Sequence, residues 1–347
     1  MNRKPKIAVN KIKRSLLLIP IGLSFPFLCI GKISALFSNE RESDSTFIQS
    51  YDSELILRTY LSQKYTSISI GGSDSLMSFK YRPNTTLNFG VGATWKSFTL
   101  NLAYGFPGLN EGSSKKGKTK YLDLQSHIYS KRWVADIFGQ FYKGYYIDAK
   151  ENFPTFPEYY QKPDLKVRLV GFSWNYIFNH NRFSYRATLI QNEWQKKSAG
   201  TLLLGFDFYY GVLNSDKTIL PLEIINYFPQ ENTKRLRFVN FGPGIGYAYT
   251  FVYRENWFAT ASLTASLTSD FTKENHLTFS QNNHSISSNL LYRGGIGYNS
   301  RNWTASISIV NSTVLAEGAS TKSPYIFRTG NYRLTYARRF VLKKSRF

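Results

Sequence analysis

The chain has 347 residues, of which 42% are hydrophobic and 17% aromatic, and its formal net charge at pH 7 is +22. The basic residues are dispersed over predicted turns and loops, which argues against nucleic-acid binding. The single cysteine, Cys29, lies in a predicted export signal. The mature chain would therefore contain neither disulfides nor thiolate metal sites.

The N-terminus is typical of a secretory signal. Residues 3–14 carry six Lys or Arg, an apolar run follows from Leu16 to Ile30, and Ile33-Ser34-Ala35 offers a small-residue cleavage site. The predicted organisation is a signal peptide at 1–35, a flexible periplasmic leader at 36–52 and one barrel domain at 53–347.

Beyond the signal, no apolar stretch approaches the ~20 residues that a membrane helix needs. The stretch 53–63 fits either a short helix or a strand. Apolar residues then occupy every second position from Leu87 to Trp95, from Phe98 to Tyr104 and from Ala259 to Ala265. This period predicts strands, and segments of about ten residues suit a tilted strand that crosses a membrane. A soluble β-sandwich also alternates, but the strand length and the aromatic turns favour a transmembrane barrel.

Five short basic turns each lie beside a tryptophan. Indole rings settle at membrane–water interfaces, where aromatic girdles flank the apolar band of transmembrane barrels. The pattern therefore predicts that all five turns lie on one side of the membrane, the periplasmic side. The girdle residues are Trp95, Trp133, Trp194, Trp257 and Trp303.

Longer connections rich in Gly, Ser, Asn, Lys and Pro separate the predicted hairpins. Short turns on one side and long loops on the other are typical of outer-membrane barrels, whose long loops are extracellular. The long connections are 107–117, 143–163, 211–235, 269–283 and 312–324.

The pattern alone gives twelve strands, but the turns at Lys131-Arg132 and Lys196-Lys197 should share a side. They do so if 143–163 contains one more strand and the turn at Asn179-His180-Asn181 faces outside. Another strand in 65–82 would start the chain in the periplasm. We therefore expect an antiparallel up-and-down barrel of about fourteen strands, with twelve as the alternative.

Polar positions on the inward parity of the predicted strands carry both signs of charge. Such groups either pair across the interior and hold the barrel together, or line a selective conduit. The opposite parity, with Leu204, Phe206, Leu263 and Ile307, is predicted to face lipid. The candidate lumen-lining residues are Asp123, His127, Asp136, Arg186, Asp207, Arg293, Arg333 and Arg339.

The histidines of this sequence do not indicate a catalytic or metal site. His276 and His284 lie in an Asn- and Ser-rich stretch near Ser280 and Asp270, where a hydrolase site is conceivable. Nothing in the sequence fixes a nucleophile beside a base that is held by a third group, and no histidine shows metal-ligand spacing. We therefore predict no catalytic residues, no metal and no cofactor.

The last predicted strand carries aromatic residues at alternate positions. Aromatic-ended final strands resemble the signal that the barrel-assembly machinery of bacterial outer membranes reads, which makes that machinery an expected partner during biogenesis. The candidate signal residues are Tyr336, Phe340 and Phe347.

Four short phrases carry a family resemblance. Tyr81-Arg82-Pro83-Asn84, Leu102-Ala103-Tyr104-Gly105-Phe106, Lys143-Gly144-Tyr145-Tyr146 and Gln195-Lys196-Lys197-Ser198-Ala199-Gly200 resemble a bacterial outer-membrane family catalogued as domain of unknown function 4421. The resemblance covers roughly residues 50–340. It implies an outer-membrane barrel and supplies no activity, substrate or catalytic residue.

The expected function is non-enzymatic. The protein is either a narrow, anion-favouring channel for small solutes or a structural, surface-contact barrel with an occluded lumen, and 143–163 is the predicted constriction. The alternative is a barrel enzyme that acts on lipid or peptide at the extracellular rim. The expected location is the bacterial outer membrane, after cleavage of the signal. Expected partners are outer-membrane lipid and a small anionic solute, without nucleic acid.

Overall fold

The structure is a computed structural model that describes residues 43–71, 78–95, 98–105, 114–148, 158–223, 228–319 and 323–341. The predicted signal peptide at 1–35 and the candidate assembly residue Phe347 lie outside these ranges. Within them, no helix is long and apolar enough to cross a membrane.

About three quarters of the described residues form antiparallel strands. Together with one short helix, the strands are β1 (Ile48–Ser50), β2 (Glu54–Gly71), β3 (Ser78–Arg82), β4 (Asn88–Trp95), β5 (Phe98–Gly105), β6 (Lys120–Tyr129), β7 (Trp133–Asp148), β8 (Tyr159–Ile177), α1 (Tyr185–Leu189), β9 (Glu193–Gln195), β10 (Ala199–Asn214), β11 (Thr233–Tyr253), β12 (Trp257–His276), β13 (Ser280–Asn299), β14 (Trp303–Glu317) and β15 (Pro324–Val341).

Ten of the described strands close into a barrel. The ring runs β2, β3, β7, β8, β10, β11, β12, β13, β14 and β15, and it closes because β15 pairs with β2 from Tyr325↔Ile70 to Val341↔Glu54. Closure gives the backbone groups of both strands a partner, which an apolar environment requires. The stretch 53–63, ambiguous in sequence, belongs to the strand β2.

The predicted count of fourteen strands, with twelve as the alternative, is wrong for the closed ring. Three further strands widen one part of the wall: β4 pairs with β2, β5 with β4, and β6 with β7. β3 and β4 run along the same edge of β2, separated by residues 83–87. Pro83 has no backbone N–H to donate, so a break at this position has a direct physical cause.

Side chains of β2 satisfy backbone carbonyls on the outer edges of β5 and β6. Among the described residues, β5 pairs with β4 alone and β6 with β7 alone. The Tyr60 hydroxyl donates to the Leu102 carbonyl at 3.2 Å, and Lys64 Nζ donates to the Asp123 carbonyl at 3.3 Å. The two side chains thus give these carbonyl groups hydrogen-bond partners at strand edges that no described strand covers.

The described residues of 143–163 contain no additional strand; residues 149–157 lie outside the described part of the chain. This region contains the end of β7, which reaches Asp148, and the beginning of β8 at Tyr159. β8 therefore descends directly to Asn179-His180-Asn181, which lies at the same end of the barrel as Lys131-Arg132. The parity conflict disappears because the chain turns into the lumen there, through α1 and β9, instead of forming another hairpin.

Four of the five girdle tryptophans lie at one end of the barrel, here called the turn end. Trp95 ends β4, and Trp133, Trp257 and Trp303 begin β7, β12 and β14. The antiparallel registers place all of these strand ends together. The opposite end is the loop end.

The strands extend further toward the loop end than the sequence suggested. β11 has 21 residues and β12 and β13 have 20 each, or roughly 65–70 Å of strand at ~3.3 Å per residue. An apolar band about 25 Å tall needs far less. Most of the predicted loops at 269–283 and 312–324 are therefore wall strands.

Alternate residues face opposite sides of the wall. The residues predicted to face lipid are exposed, for example Leu204 at 51% and Ile307 at 54%, whereas Asp207 and Arg293 are each only 2% exposed. The barrel thus has an apolar outer face and a tightly filled interior.

Candidate functional site

The segment that joins β8 to β10 enters the barrel at the turn end and fills the lumen; residues 183–193 are here called the plug. The plug contains α1, whose five residues are all buried. Ser184 begins the helix as its N-cap, with extended backbone, and its Oγ accepts a hydrogen bond from Ala187 N at 3.1 Å. Gln191, with a φ of 58°, turns the chain back toward β9.

Inward side chains of four strands, β2, β12, β14 and β15, bond the plug, and Gly295 of a fifth strand, β13, packs against it. The Thr188 and Thr260 hydroxyls lie 2.7 Å apart, and Arg58 donates to the Ile190 carbonyl at 2.9 Å. Because these strands form half of the ring, the plug is fixed to the wall rather than suspended from its ends. The other wall contacts are Tyr185 with Ser262, Gln191 with Ser306, Arg339 with the Gln191 carbonyl, and Thr188 beneath Gly295.

Arg186 anchors the plug by ion pairs. Its guanidinium bonds Asp52, and its NH1 lies 3.0 Å from Glu193 Oε1, whose carboxylate also accepts a hydrogen bond from Ser184 Oγ. Burial raises the pKa of Glu193 above its ordinary value, although Arg186 lowers it. Arg186 was predicted on a strand; it lies instead on α1.

The segment before β2 closes the turn end. β1 pairs with β9 in a two-stranded ribbon, from Ile48↔Gln195 to Ser50↔Glu193. Tyr51 is 2% exposed and packs under the Arg339 guanidinium, 4.1 Å from its ring centroid. Trp194 Nε1 donates to the Glu255 carbonyl at 2.7 Å. The leader's last residues are therefore part of the packed turn end.

A charged centre lies above the plug, at the middle of the lumen. Arg293 on β13 bonds Asp136 on β7, and Asp136 also bonds His127 Nδ1. Arg293 and Asp136 are 2% and 0% exposed. The Arg293 guanidinium lies 5.5 Å from the ring centroid of Tyr185, which joins the centre to the plug.

An apolar cluster fills the loop-end half of the lumen. Inward residues of the wall contribute most of it, and the β10–β11 connection adds Ile219, Leu220 and Phe228, each at most 2% exposed. The Tyr81 hydroxyl donates to the Ile219 carbonyl, and the Phe79 and Phe228 rings meet edge to face at 4.9 Å. Of the predicted constriction at 143–163, residues 143–148 and 159–163 belong to the wall strands β7 and β8, and residues 149–157 lie outside the described residues.

The remaining lumen-lining candidates are also inside the wall. Asp123 accepts from the Tyr142 hydroxyl and lies 3.8 Å from Lys64 Nζ, and Asp207 accepts from Ser266 Oγ. The last two, Arg333 and Arg339, stack on Tyr60 and Tyr51.

The chemistry of the centre is charge compensation. Asp136 bonds both His127 Nδ1 and Arg293, and in the described structure His127 Nε2 is buried without a hydrogen-bond partner, so no described nucleophile is bonded to this histidine. His276 and His284, expected in a loop, lie on β12 and β13. No group of three or more His, Cys, Asp or Glu in the described residues is placed to hold a metal.

Sequence reasoning missed the plug and its anchors. Residues 183–193 do not alternate strictly, and the capping residue Ser184 directly precedes α1, which is the signal that could have separated this segment from the strands. Glu193, Asp52 and Arg58 were not recognised because their roles depend on contacts distant in sequence. Of the assembly candidates, Tyr336 and Phe340 face outward on β15.

The closed antiparallel sheet with an apolar outer face defines a transmembrane-type β-barrel. The chain belongs to the family described as domain of unknown function (DUF4421), whose model matches residues 42–340. No curated protein matches the chain.

Three solved structures are similar to this chain at very low identity. The outer membrane protease OmpT from Escherichia coli has 8% identity and a TM-score of 0.39, covering 84% of this chain and 98% of that one. OmpT of Vibrio cholerae has 10% identity and a TM-score of 0.29, covering 82% and 98%. A Pseudomonas aeruginosa FadL homologue has 7% identity and a TM-score of 0.24, covering 82% and 90%. These similarities concern the fold alone.

Proposed function

We propose that this protein is a non-enzymatic outer-membrane barrel with an occluded lumen, which serves as a structural or surface-contact element rather than as an open channel. The observation that carries the proposal is the plug, which is hydrogen-bonded to β2, β12, β14 and β15 from inside. The apolar cluster at the loop end excludes water from the other half of the lumen.

The same proposal includes the route to the membrane. A cleaved signal at 1–35 would export the chain, and the barrel-assembly machinery would read the outward aromatic residues of β15. The apolar outer face would then contact outer-membrane lipid.

Conductance in planar lipid bilayers tests the occlusion. The intact protein should show no stable single-channel steps, whereas replacement of residues 183–192 by a short Gly-Ser linker, combined with Ala at Ile219, Leu220 and Phe228 to open the loop-end half, should produce them. Arg58, Arg293, Arg333 and Arg339 would then face an open lumen, so the steps should favour anions. The expectation of a small anionic solute is therefore kept only as this anion selectivity of the opened variant.

A milder variant guards against loss of folding. Arg186→Met removes the plug's ionic anchor, while Lys197→Met removes one exposed charge from the same connection. When each change is combined with Ala at Ile219, Leu220 and Phe228, transient openings should appear in the first variant and not in the second. A steady conductance in the intact protein, equal to that of the plug deletion, would overturn the proposal.

A further inference from the structure

The outer wall near the loop end carries basic side chains on five strands, β6, β7, β8, β11 and β12, while β10, between β8 and β11, contributes the uncharged Val212 and Asn214. The basic side chains all lie on the outward parity, the same face as the exposed apolar residues below them. We call this group the cationic wall; it consists of Lys120, Lys143, Lys166, Arg168, Arg235, Arg237 and Lys273.

Strand registers place the members of the cationic wall beside one another. Lys120 pairs with Lys143 and Lys143 with Lys166, so three ammonium groups follow each other across three strands. Arg237 pairs with Lys273 on the other side of the group. Directly opposed residues have Cβ atoms about 4.5–5.5 Å apart, and like charges at that separation repel.

The described residues offer this group little compensation. Lys166 Nζ lies 3.1 Å from Asp216 Oδ1, and it is the member for which the described chain supplies a carboxylate within ion-pair distance. Arg235 interacts electrostatically with Arg237 and Arg168, which are also cations. An anion from outside the chain would relieve this repulsion.

The row directly toward the turn end is uncharged and partly apolar. Cross-strand pairing aligns Leu124, Gly139, Val170, Tyr210, Val239 and Phe271 in this row. Val170 is 42% exposed and Phe271 47% exposed on the outer face. A soluble anion would gain nothing from contact with an apolar row. A phosphorylated lipid can contact the apolar row with its acyl chains and the cationic wall with its phosphate groups.

We propose that the cationic wall binds the phosphate groups of lipid headgroups in the membrane leaflet at the loop end. This inference rests on the proposed membrane location and not on occlusion of the lumen. Outward positions on β13 at the same end are Asn282, His284, Ile286 and Ser288, none of them basic. Lys80, Arg82 and Arg328, on β3 and β15, are further outward basic residues near the loop end, but the cationic wall is the group whose members oppose one another directly across strands.

Lipid retention provides the test. The full-length protein is reconstituted in phosphatidylcholine nanodiscs that contain either bisphosphorylated lipid A or the same lipid after enzymatic dephosphorylation, and retained lipid is counted by native mass spectrometry. The wild type should retain the phosphorylated form selectively. Replacement of Lys143, Arg168, Arg237 and Lys273 by Gln should reduce that retention at least about fivefold.

A matched control removes the same charge from the turn end. Lys131, Lys197, Arg254 and Arg301 are exposed there, and their replacement by Gln should leave retention unchanged. If the fourfold wall variant does not fold, K143Q/R168Q and R237Q/K273Q are tested separately, and each should lose part of the selectivity.

Three results would overturn the proposal: equal retention of phosphorylated and dephosphorylated lipid, an equal loss in the turn-end control, or displacement of the lipid by inorganic phosphate at matched phosphate concentration. The last result would assign the cationic wall to free anions. Conductance plays no part in these measurements, so failure here is distinguishable from failure of the proposed occlusion.

Discussion

Arg293 and Asp136 bond across the full width of the barrel. Their strands, β13 and β7, are five positions apart in either direction around the ring of ten. The pair therefore acts as a cross-brace between opposite walls, between the plug on one side and the apolar cluster on the other. The two side chains therefore occupy space inside the barrel that an open channel would leave to water.

Removal of one partner should be costly. Arg293→Leu leaves the fully buried Asp136 without its guanidinium, and such a change typically destabilises by about 3–5 kcal/mol. We expect a lower urea midpoint for the refolded barrel, read from heat-modifiable migration on gels.

The double variant Arg293→Leu/Asp136→Leu distinguishes the missing partner from lost packing. It should recover much of the lost stability, because no uncompensated charge remains. Equal losses in the single and double variants would contradict the cross-brace.

The barrel wall was largely predictable from the sequence, because period-two alternation is a local property. Leu204 and Ile307 could be assigned to the outer face and Asp207 to the inner face without knowledge of any partner strand. The number of strands in the closed ring was harder to predict from the sequence. Pro83 divides what would be a single long partner of β2 into β3 and β4, and this division changes the count of wall strands.

Gly171 lies between two rings inside the wall and should not tolerate a larger residue. A Cβ there would meet the Tyr209 ring at 2.4 Å and the Phe138 ring at 3.4 Å. Overpacking of this kind costs about 1–3 kcal/mol, so Gly171→Ala should lower the urea midpoint. Gly139→Ala is the matched control on the neighbouring strand, because its nearest atom is 3.7 Å away. Equal effects of the two substitutions would show that the rings can move aside.

Charge on the outer face should impair assembly according to its depth. Leu204→Arg should cost about 2–4 kcal/mol if the residue lies near the bilayer midplane. Asn282→Arg, on the polar outer surface near the loop end, should cost about 0–1 kcal/mol. Folding yield into lipid vesicles measures both, and equal yields would contradict the assigned outer face.

The structure also changes one expectation about the inner face. An open lumen would accept Ser306→Arg, but Gln191 Nε2 lies 3.5 Å from Ser306 Oγ and fills the space. We therefore expect this substitution to displace the plug.

The plug could not be predicted because its structure depends on tertiary contacts. Tyr185, Ala187 and Leu189 alternate with Arg186 and Thr188 as they would in a strand, and the local pattern favours neither assignment strongly. The helix has five residues, too few to be stable alone, so the five strands that surround it determine its conformation. Arg186, which the sequence analysis assigned to the lining of the lumen, therefore belongs to the segment that blocks the lumen.

Glu193 should make the plug sensitive to pH. Its pKa is raised because burial outweighs the attraction of Arg186, so the folded protein binds this proton more tightly than the unfolded chain does. The resulting stabilisation is present below the ordinary pKa of 4.5 and is lost as the pH rises through the raised value. Glu193→Gln removes the titration while keeping an acceptor for Ser184. The difference in unfolding free energy between wild type and variant, measured at pH values from 4 upward, should therefore shift against the wild type as the pH rises. A difference that stays constant over this range, or shifts the other way, would show that Arg186 and Ser184 compensate the buried charge fully.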